Sequence, residues 1–204
     1  LERFGRIDVL VNNAGYGLLG AFETLAAADI EAQFATNVFG LMHVTRAALP
    51  AMRARRSGHV VNVSSIGGVT GFEGSSVYCA TKFAVTGFSE SLALELAPAG
   101  IAVTVVEPGF IRTDFLDGSS VRYGTRDTPD GVSTERSYSQ YNGEQPGDPV
   151  RLAAAVLSLV ARAEPPVHFL AGSDAVEIAS TAVEKRQREL AADRALSQSV
   201  DGRF

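Results

Sequence analysis

Residues 59–106 read HVVNVSSIGGVTGFEGSSVYCATKFAVTGFSESLALELAPAGIAVTVV. The stretch opens on a short buried strand at 59–63 and passes through a serine- and glycine-rich loop. Apolar residues then recur at helical spacing over 77–97, Pro98-Ala99-Gly100 stops the helix, and a second β-branched run follows at 101–106. Working outward, residues 7–11 (IDVLV) are a strand ending in Asn12-Asn13-Ala14-Gly15. Residues 29–56 carry Ile30, Phe34, Val38, Leu41, Val44, Ala48 and Met52 on one helical face, and 167–170 read as a further strand before Gly172. Near-continuous apolar strands alternating with helices predict an α/β fold: a doubly wound parallel sheet covered on both faces, in three α/β/α layers.

No internal repeat or second hydrophobic block divides the chain, so residues 1–204 read as one domain. Within it, 114–149 is polar and aperiodic, the character of a functional loop or lid. Residues 174–200 read as a C-terminal helix opened by Asp174 with Glu177 three residues on, a capping-box arrangement. Gly15-x-Gly17-x-x-Gly20 imitates a dinucleotide fingerprint, but that fingerprint needs a helix beginning in the turn and an acidic residue ending the next strand. Neither is present, and the glycines read as a flexible turn.

With 46% hydrophobic and 20% charged residues, the composition is that of a globular protein rather than a disordered one. A net charge of −5, a pI near 5.2 and no basic run beyond Arg53-Ala54-Arg55-Arg56 argue against nucleic acid as a partner. The longest run free of charge and proline outside glycine-rich turns, 152–161, falls far short of the ~20 residues a membrane span needs. A single cysteine, Cys79, forms no intramolecular disulfide, so a reduced, cytoplasmic setting is expected. His43, His59 and His168 lack metal-ligand spacing and read as structural; no metal is expected. The absence of a G-x-S-x-G elbow speaks against a serine hydrolase.

The chemistry centres on Tyr78 and Lys82, four apart and therefore neighbours on one helix face. With five tyrosines and only two lysines, Lys82 and Lys185, a chance Tyr-x-x-x-Lys is expected about 0.05 times per chain. A free tyrosine is a poor base at neutral pH, and an adjacent cation in a partly desolvated site is the kind of group that lowers its pKa. On this pair alone, an exposed tyrosine–lysine contact stays an open alternative. Ser65 on the loop leaving the 59–63 strand, Asn37, and the Asn12–Gly15 and Pro108-Gly109 loops all fall on the carboxyl edge of the sheet, where such folds bind ligands.

In N-N-A-G (12–15), N-V-F-G (37–40), V-S-S (63–65), Y-x-x-x-K (78–82) and P-G-F-I-R-T (108–113) the chain resembles the short-chain dehydrogenase/reductase family, with these motifs in the family's order and spacing. The resemblance implies a Rossmann-like fold and an oxidoreductase using NAD or NADP. It implies Tyr78 as general acid/base, Lys82 as the residue that lowers its pKa and binds the nicotinamide ribose, Ser65 as a hydrogen-bond partner of the substrate oxygen, and Asn37 as the holder of a relay water. Asn12, Asn13, Ala14 and Gly15, with Tyr78, Lys82, Pro108, Gly109, Ile111 and Thr113, would contact the coenzyme, and 114–149 would be the substrate loop. Phe110, Ile111, Phe115 and Leu116 beside the site point to a lipophilic secondary alcohol or ketone. Ala80, Ala84, Gly87 and Ser91 form a small-residue stripe that admits another helix, and the family's habit implies a homo-oligomer.

A full member of the family begins with further strand–helix units and a T-G-x-x-x-G-x-G pyrophosphate turn, whereas the resemblance here starts at the family's fourth strand. The expectation is a sheet truncated at its N-terminal side, with coenzyme bound poorly by the 204-residue chain. The competing reading is an inactive fragment or pseudoenzyme that serves only association; an epimerase or dehydratase relative is a third.

Overall fold

The computed structural model of the chain describes residues 2–124 and 134–202. In chain order the elements are β1 (Val9–Asn12), β2 (Gly17–Leu19), α1 (Ala27–Phe34), a π-helical turn (Ala35–Gly40), α2 (Leu41–Arg55), β3 (Gly58–Val63), α3 (Ser76–Leu96) and β4 (Ile101–Pro108). β5 (Val121–Tyr123), α4 (Thr134–Ser139), α5 (Pro149–Val160), β6 (His168–Ala171), α6 (Ser173–Ala192) and α7 (Arg194–Gln198) complete them. The main sheet has the order β1-β3-β4-β6 and every pairing in it is parallel. β4 lies between β3 and β6 and is buried along its length except at Ala102, which is why its sequence is apolar without alternation.

Each sheet face carries its own apolar layer. On one, Met52 of α2 and Leu92 and Leu96 of α3 pack on Val60, Ile101 and Val103. On the other, Leu152, Val156 and Val160 of α5 cover Val61, Val106 and Ala171. Burying a side chain of this size stabilises by roughly 1.5–3 kcal/mol before entropy is counted. The three-layer parallel architecture is the one expected, and among the described residues no helix is long and apolar enough to cross a membrane.

Four local readings are corrected. Residues 17–19, expected as a flexible turn, are a fully buried strand that pairs in parallel with β5, Gly17 opposite Val121. The partner lies about a hundred residues away within the polar 114–149 segment, so no local pattern announces either strand. The single helix expected over 29–56 is interrupted by the π-helical turn at 35–40, and the helix after Asp148, which supplies a wall of the site, comes from a run read only for its length. The Asp174–Glu177 capping box does not form: Gly172 is the N-cap, and the Asp174 carboxylate accepts from Phe110 N at 2.7 Å and Ala175 N at 2.9 Å. Residues 125–133 of the expected substrate loop lie outside the described residues.

Candidate active site

The carboxyl ends of β1, β3 and β4 open on a cavity of about 660 Å³. Asn13 and Gly15 line it from the loop after β1, Ser65 from the loop after β3, Tyr78 and Lys82 from the first turns of α3, Pro108 from the end of β4, and Gly109, Ile111 and Thr113 from the loop that follows. Three expected residues are not on its wall. Ala14 is exposed elsewhere. Asn12 is buried, its Nδ2 donating to Thr45 Oγ1 at 2.9 Å and Asn62 Oδ1 at 2.8 Å, so its amide ties the ends of β1 and β3 to α2. Asn37 sits one layer behind.

Asn37 acts as a peptide mimic. Its Oδ1 accepts from Tyr16 N at 3.1 Å, while Nδ2 donates to Tyr16 O at 3.0 Å and to Thr81 Oγ1 at 3.2 Å. The π-helical turn presents it to both partners, in keeping with the use of such turns at functional sites. A Cβ on Gly15 would lie 3.2 Å from Asn37 Oδ1 and 3.6 Å from Lys82 Nζ, so glycine keeps the passage between them open.

Ser65 stands beside the phenol. Its Oγ accepts from Gly67 N at 3.0 Å, which orients the hydroxyl, and Ser65 and Tyr78 line the same cavity. Burial pushes Tyr78 up to about 12, and the Ser65 hydroxyl pulls it partway back. The direction is opposite to the lowered value the resemblance implies, because in this structure the loss of hydration outweighs the opposing pull of the Ser65 hydroxyl. Lys82, 5.8 Å from the Tyr78 ring centre, is itself pushed down to about 8 by burial. Its Nζ donates to Val63 O at 3.0 Å, and that is its one partner among the described residues.

The helix is pinned behind these groups. Ser64 Oγ donates to Lys82 O at 3.0 Å and shares a hydrogen bond with Thr86 Oγ1 at 2.9 Å. Thr86 in turn donates to Glu107 Oε1 at 3.4 Å, and Glu107 Oε2 meets His168 Nδ1 at 3.1 Å. Burial raises the Glu107 carboxyl despite the help of His168. Gly68 packs so closely here that a Cβ would collide with Ser64 Oγ and approach Lys82 O to 2.8 Å.

The remaining wall is apolar. Phe115 tilts over Tyr78 with ring centres 5.5 Å apart, and Phe72 meets Phe110 edge-on at 6.4 Å. Leu116, anticipated beside the site, is there too, whereas Phe72, Tyr138, Gln145, Leu152 and Val156 line it without having been anticipated.

The residues suit a nicotinamide coenzyme. An ammonium with one carbonyl partner has two N–H groups left for acceptors, and Lys82 faces the cavity, where the hydroxyls of a ribose would satisfy them. Glycines at 15 and 109 keep the backbone approachable; at Gly109 the Asp174 carboxylate occupies the space of a Cβ.

A family model described as short chain dehydrogenase matches residues 1–122. The chain is 43% identical over 186 residues to Oxidoreductase BOA17 of Botryotinia fuckeliana, covering 90% of this chain and 68% of that protein. It is 42% identical over 171 residues to the 3-ketodihydrosphingosine reductase of Bacteroides thetaiotaomicron, covering 82% and 64%. Among solved structures, a short-chain dehydrogenase from Streptomyces avermitilis superposes with a TM-score of 0.89 at 38% identity, over 99% of this chain and 74% of that one. ElxO with NADP bound gives 0.67 at 32% identity over 83% and 67%. A short chain dehydrogenase/reductase from Burkholderia phymatum in complex with NAD gives 0.79 at 25% identity over 100% and 72%.

Proposed function

The chain belongs to the short-chain dehydrogenase family, and from that premise we propose that it serves an NAD(P)-dependent oxidoreductase that interconverts a lipophilic secondary alcohol and its ketone. Lys82 holds the ribose with its two remaining N–H groups, Asn13 and Gly15 border the adenosine side, and Pro108, Gly109, Ile111 and Thr113 flank the nicotinamide. When bound, the coenzyme supplies or accepts the hydride.

The observation that carries the reading is the convergence of Ser65, Tyr78 and Lys82 on one cavity, with the Ser65 hydroxyl oriented by Gly67 N–H. With Ser65 Oγ accepting from Gly67 N–H, its hydroxyl proton remains available to the oxygen of a substrate bound beside Tyr78. With its pKa near 12, Tyr78 is fully protonated at neutral pH and acts as the acid that gives its phenolic proton to a carbonyl oxygen. The buried charge of Lys82 then stabilises the phenolate left behind. In the oxidation direction the step reverses: Tyr78 must first give up its proton to solvent, which high pH favours, and the phenolate then takes the alcohol proton. The aromatic and aliphatic wall excludes water and accepts an apolar chain, and the 3-ketodihydrosphingosine reductase among the relatives is consistent with such a substrate. The exposed small residues Ala80, Gly87 and Ser91 on α3 support docking of a second copy.

The test is coenzyme-linked turnover of long-chain ketones by the protein and by its Tyr78→Phe variant. The ring packing stays and the proton is lost, so kcat should fall by roughly 10²–10⁴. Turnover by Tyr78→Phe at the parent rate overturns the assignment.

A further inference from the structure

Gln145 is a buried polar side chain of the cavity that the proposed chemistry leaves unused: it is 4% exposed and lines the cavity with Phe110, Ile111 and Leu152. Its position is fixed from three sides. The Gln145 carbonyl accepts from Arg112 Nε at 3.0 Å. Two residues on, Gly147 N donates to Phe110 O at 3.0 Å and Gly147 O accepts from Arg112 N at 2.8 Å, so the segment runs beside the loop after β4 as a short parallel bridge. Asp148 then caps α5 through Val150 N at 2.7 Å.

The orientation of the carboxamide is settled by its partner. The side chain meets Gly143 N at 2.8 Å, and a backbone N–H only donates, so the atom facing it is the oxygen. The NH₂ end is left with two donors and no acceptor among the described residues, in a side chain whose remaining surface belongs to the cavity. Tyr138, another polar group lining the cavity, is engaged elsewhere: its hydroxyl donates to Glu73 O at 2.9 Å and bonds Ser75 Oγ at 2.8 Å. The NH₂ end faces the cavity rather than being sealed in protein, so a ligand oxygen can accept from it directly.

Resting on the reading of this cavity as the site of an alcohol or ketone, we infer that Gln145 is a specificity-determining residue whose Nε2 donates to a second oxygen of the substrate, distinct from the one that exchanges a proton with Tyr78. The substrate class is thereby narrowed from a simple lipophilic ketone to one with a further carbonyl, hydroxyl or ester oxygen along its chain. The reacting oxygen meets Ser65 and Tyr78, the chain lies on Phe72, Phe110 and Phe115, and the second oxygen sets its register against Gln145.

The test is isothermal titration of the protein with a long-chain methyl ketone and with a set of isomeric diketones of the same length, so that binding is read without turnover. At least one diketone should bind about tenfold tighter than the monoketone, the effect of one well-made hydrogen bond to a buried donor. Gln145→Met should abolish the preference while leaving monoketone affinity within about twofold. Gln145→Glu, which has the same shape and exchanges the donor for an acceptor, should abolish it as well, and guards against a packing artefact in the methionine variant. The inference is overturned if no diketone is preferred, if the preference survives both substitutions, or if the substitutions weaken NADH and NADPH binding while ketone discrimination is unchanged, which assigns the amide to the coenzyme. Failure of the catalytic reading is separable: a diketone preference lost in both variants upholds the role of Gln145 even where Tyr78→Phe turns over normally.

Discussion

Replacing Lys82 by methionine removes a buried ammonium while keeping the length of the side chain, and its consequence for stability can be worked out from the structure. Lys82 is 7% exposed, and burial lowers its pKa from 10.5 to about 8. A lysine depressed in this way adds its full share of stability only above the unfolded value, and that share is lost as pH falls through the folded value. At about 1.4 kcal/mol per pH unit, the interval between the two is roughly 3 kcal/mol against folding at pH 7, fading to nothing above pH 10.5. The hydrogen bond from Nζ to Val63 O, 3.0 Å long, offsets part of it, since a charged donor contributes roughly 1.5–3 kcal/mol. Near pH 7 the variant should therefore be as stable as the parent or slightly more so. Between pH 7 and 10 the parent should gain roughly 3 kcal/mol on the variant, or about 6–10 °C in Tm for a chain of this size. Urea unfolding followed by far-ultraviolet circular dichroism at three pH values measures this, because every other titrating group is common to both proteins. Parallel stability curves across that range would refute the argument that Lys82 is held charged against its hydration.

Other perturbations have equally definite outcomes. Burial raises the Glu107 carboxyl, so its favourable share of stability is complete below the ordinary carboxylate value and lost as pH climbs through the raised one; Glu107→Gln, beside His168 and Glu90, should lose less stability than the parent on going from pH 4.5 to 7. A constant Tm difference between the two proteins sinks this. Gly68→Ala drives a methyl group against Ser64 Oγ and to 2.7 Å from Thr86 Oγ1, so thermal unfolding should register a loss of roughly 1–3 kcal/mol, and an unchanged Tm shows that the contact relaxes freely. Asn37→Ala strips Tyr16 N–H of its partner, whereas Tyr16 O keeps Gln33 Nε2 at 3.0 Å; a loss of about 2 kcal/mol in denaturant titration is expected, and a neutral variant means that another acceptor takes over.

What was legible follows the range of the interactions. Strands β3 and β4 were anticipated because each is a β-branched run buried on both faces, β1 and β6 because each is a short, mostly apolar run closed by a turn signal, and α3 because its apolar spacing ends at Pro98-Ala99-Gly100. β2 and β5 were not, since three residues such as Gly17–Leu19 acquire strand geometry only from a partner about a hundred positions away. The start of α5 is written in Asp148-Pro149, an N-cap followed by proline in the first turn, but reading the next apolar run for membrane-spanning length passes over it. Asp174 misled for a tertiary reason: Phe110 N–H draws its carboxylate away from its own helix end. In the site, Ser65, Tyr78 and Lys82 declare themselves by spacing, because local geometry carries them to one edge. Gln145, Tyr138 and Leu152 do not, because they reach the cavity on segments whose approach is a product of the fold.

The π-helical turn at Ala35–Gly40 has a consequence for how this chain tolerates changes of length. A π-turn accommodates an extra residue, and one residue of α-helix corresponds to about 100° of rotation, so the orientation of everything after Gly40 depends on that residue's being present. Deleting Ala35 would yield a helix with better internal hydrogen bonding and no loss of apolar composition, yet it would swing Asn37 away from Tyr16 and turn Thr45 off Asn12. A substitution scan across 35–40 would find mostly mild effects outside Asn37 and Val38, which are the buried positions of the turn, while a scan of single-residue deletions would find a sharp gap in tolerance there. For this segment the inherited constraint is a count as much as a set of side chains.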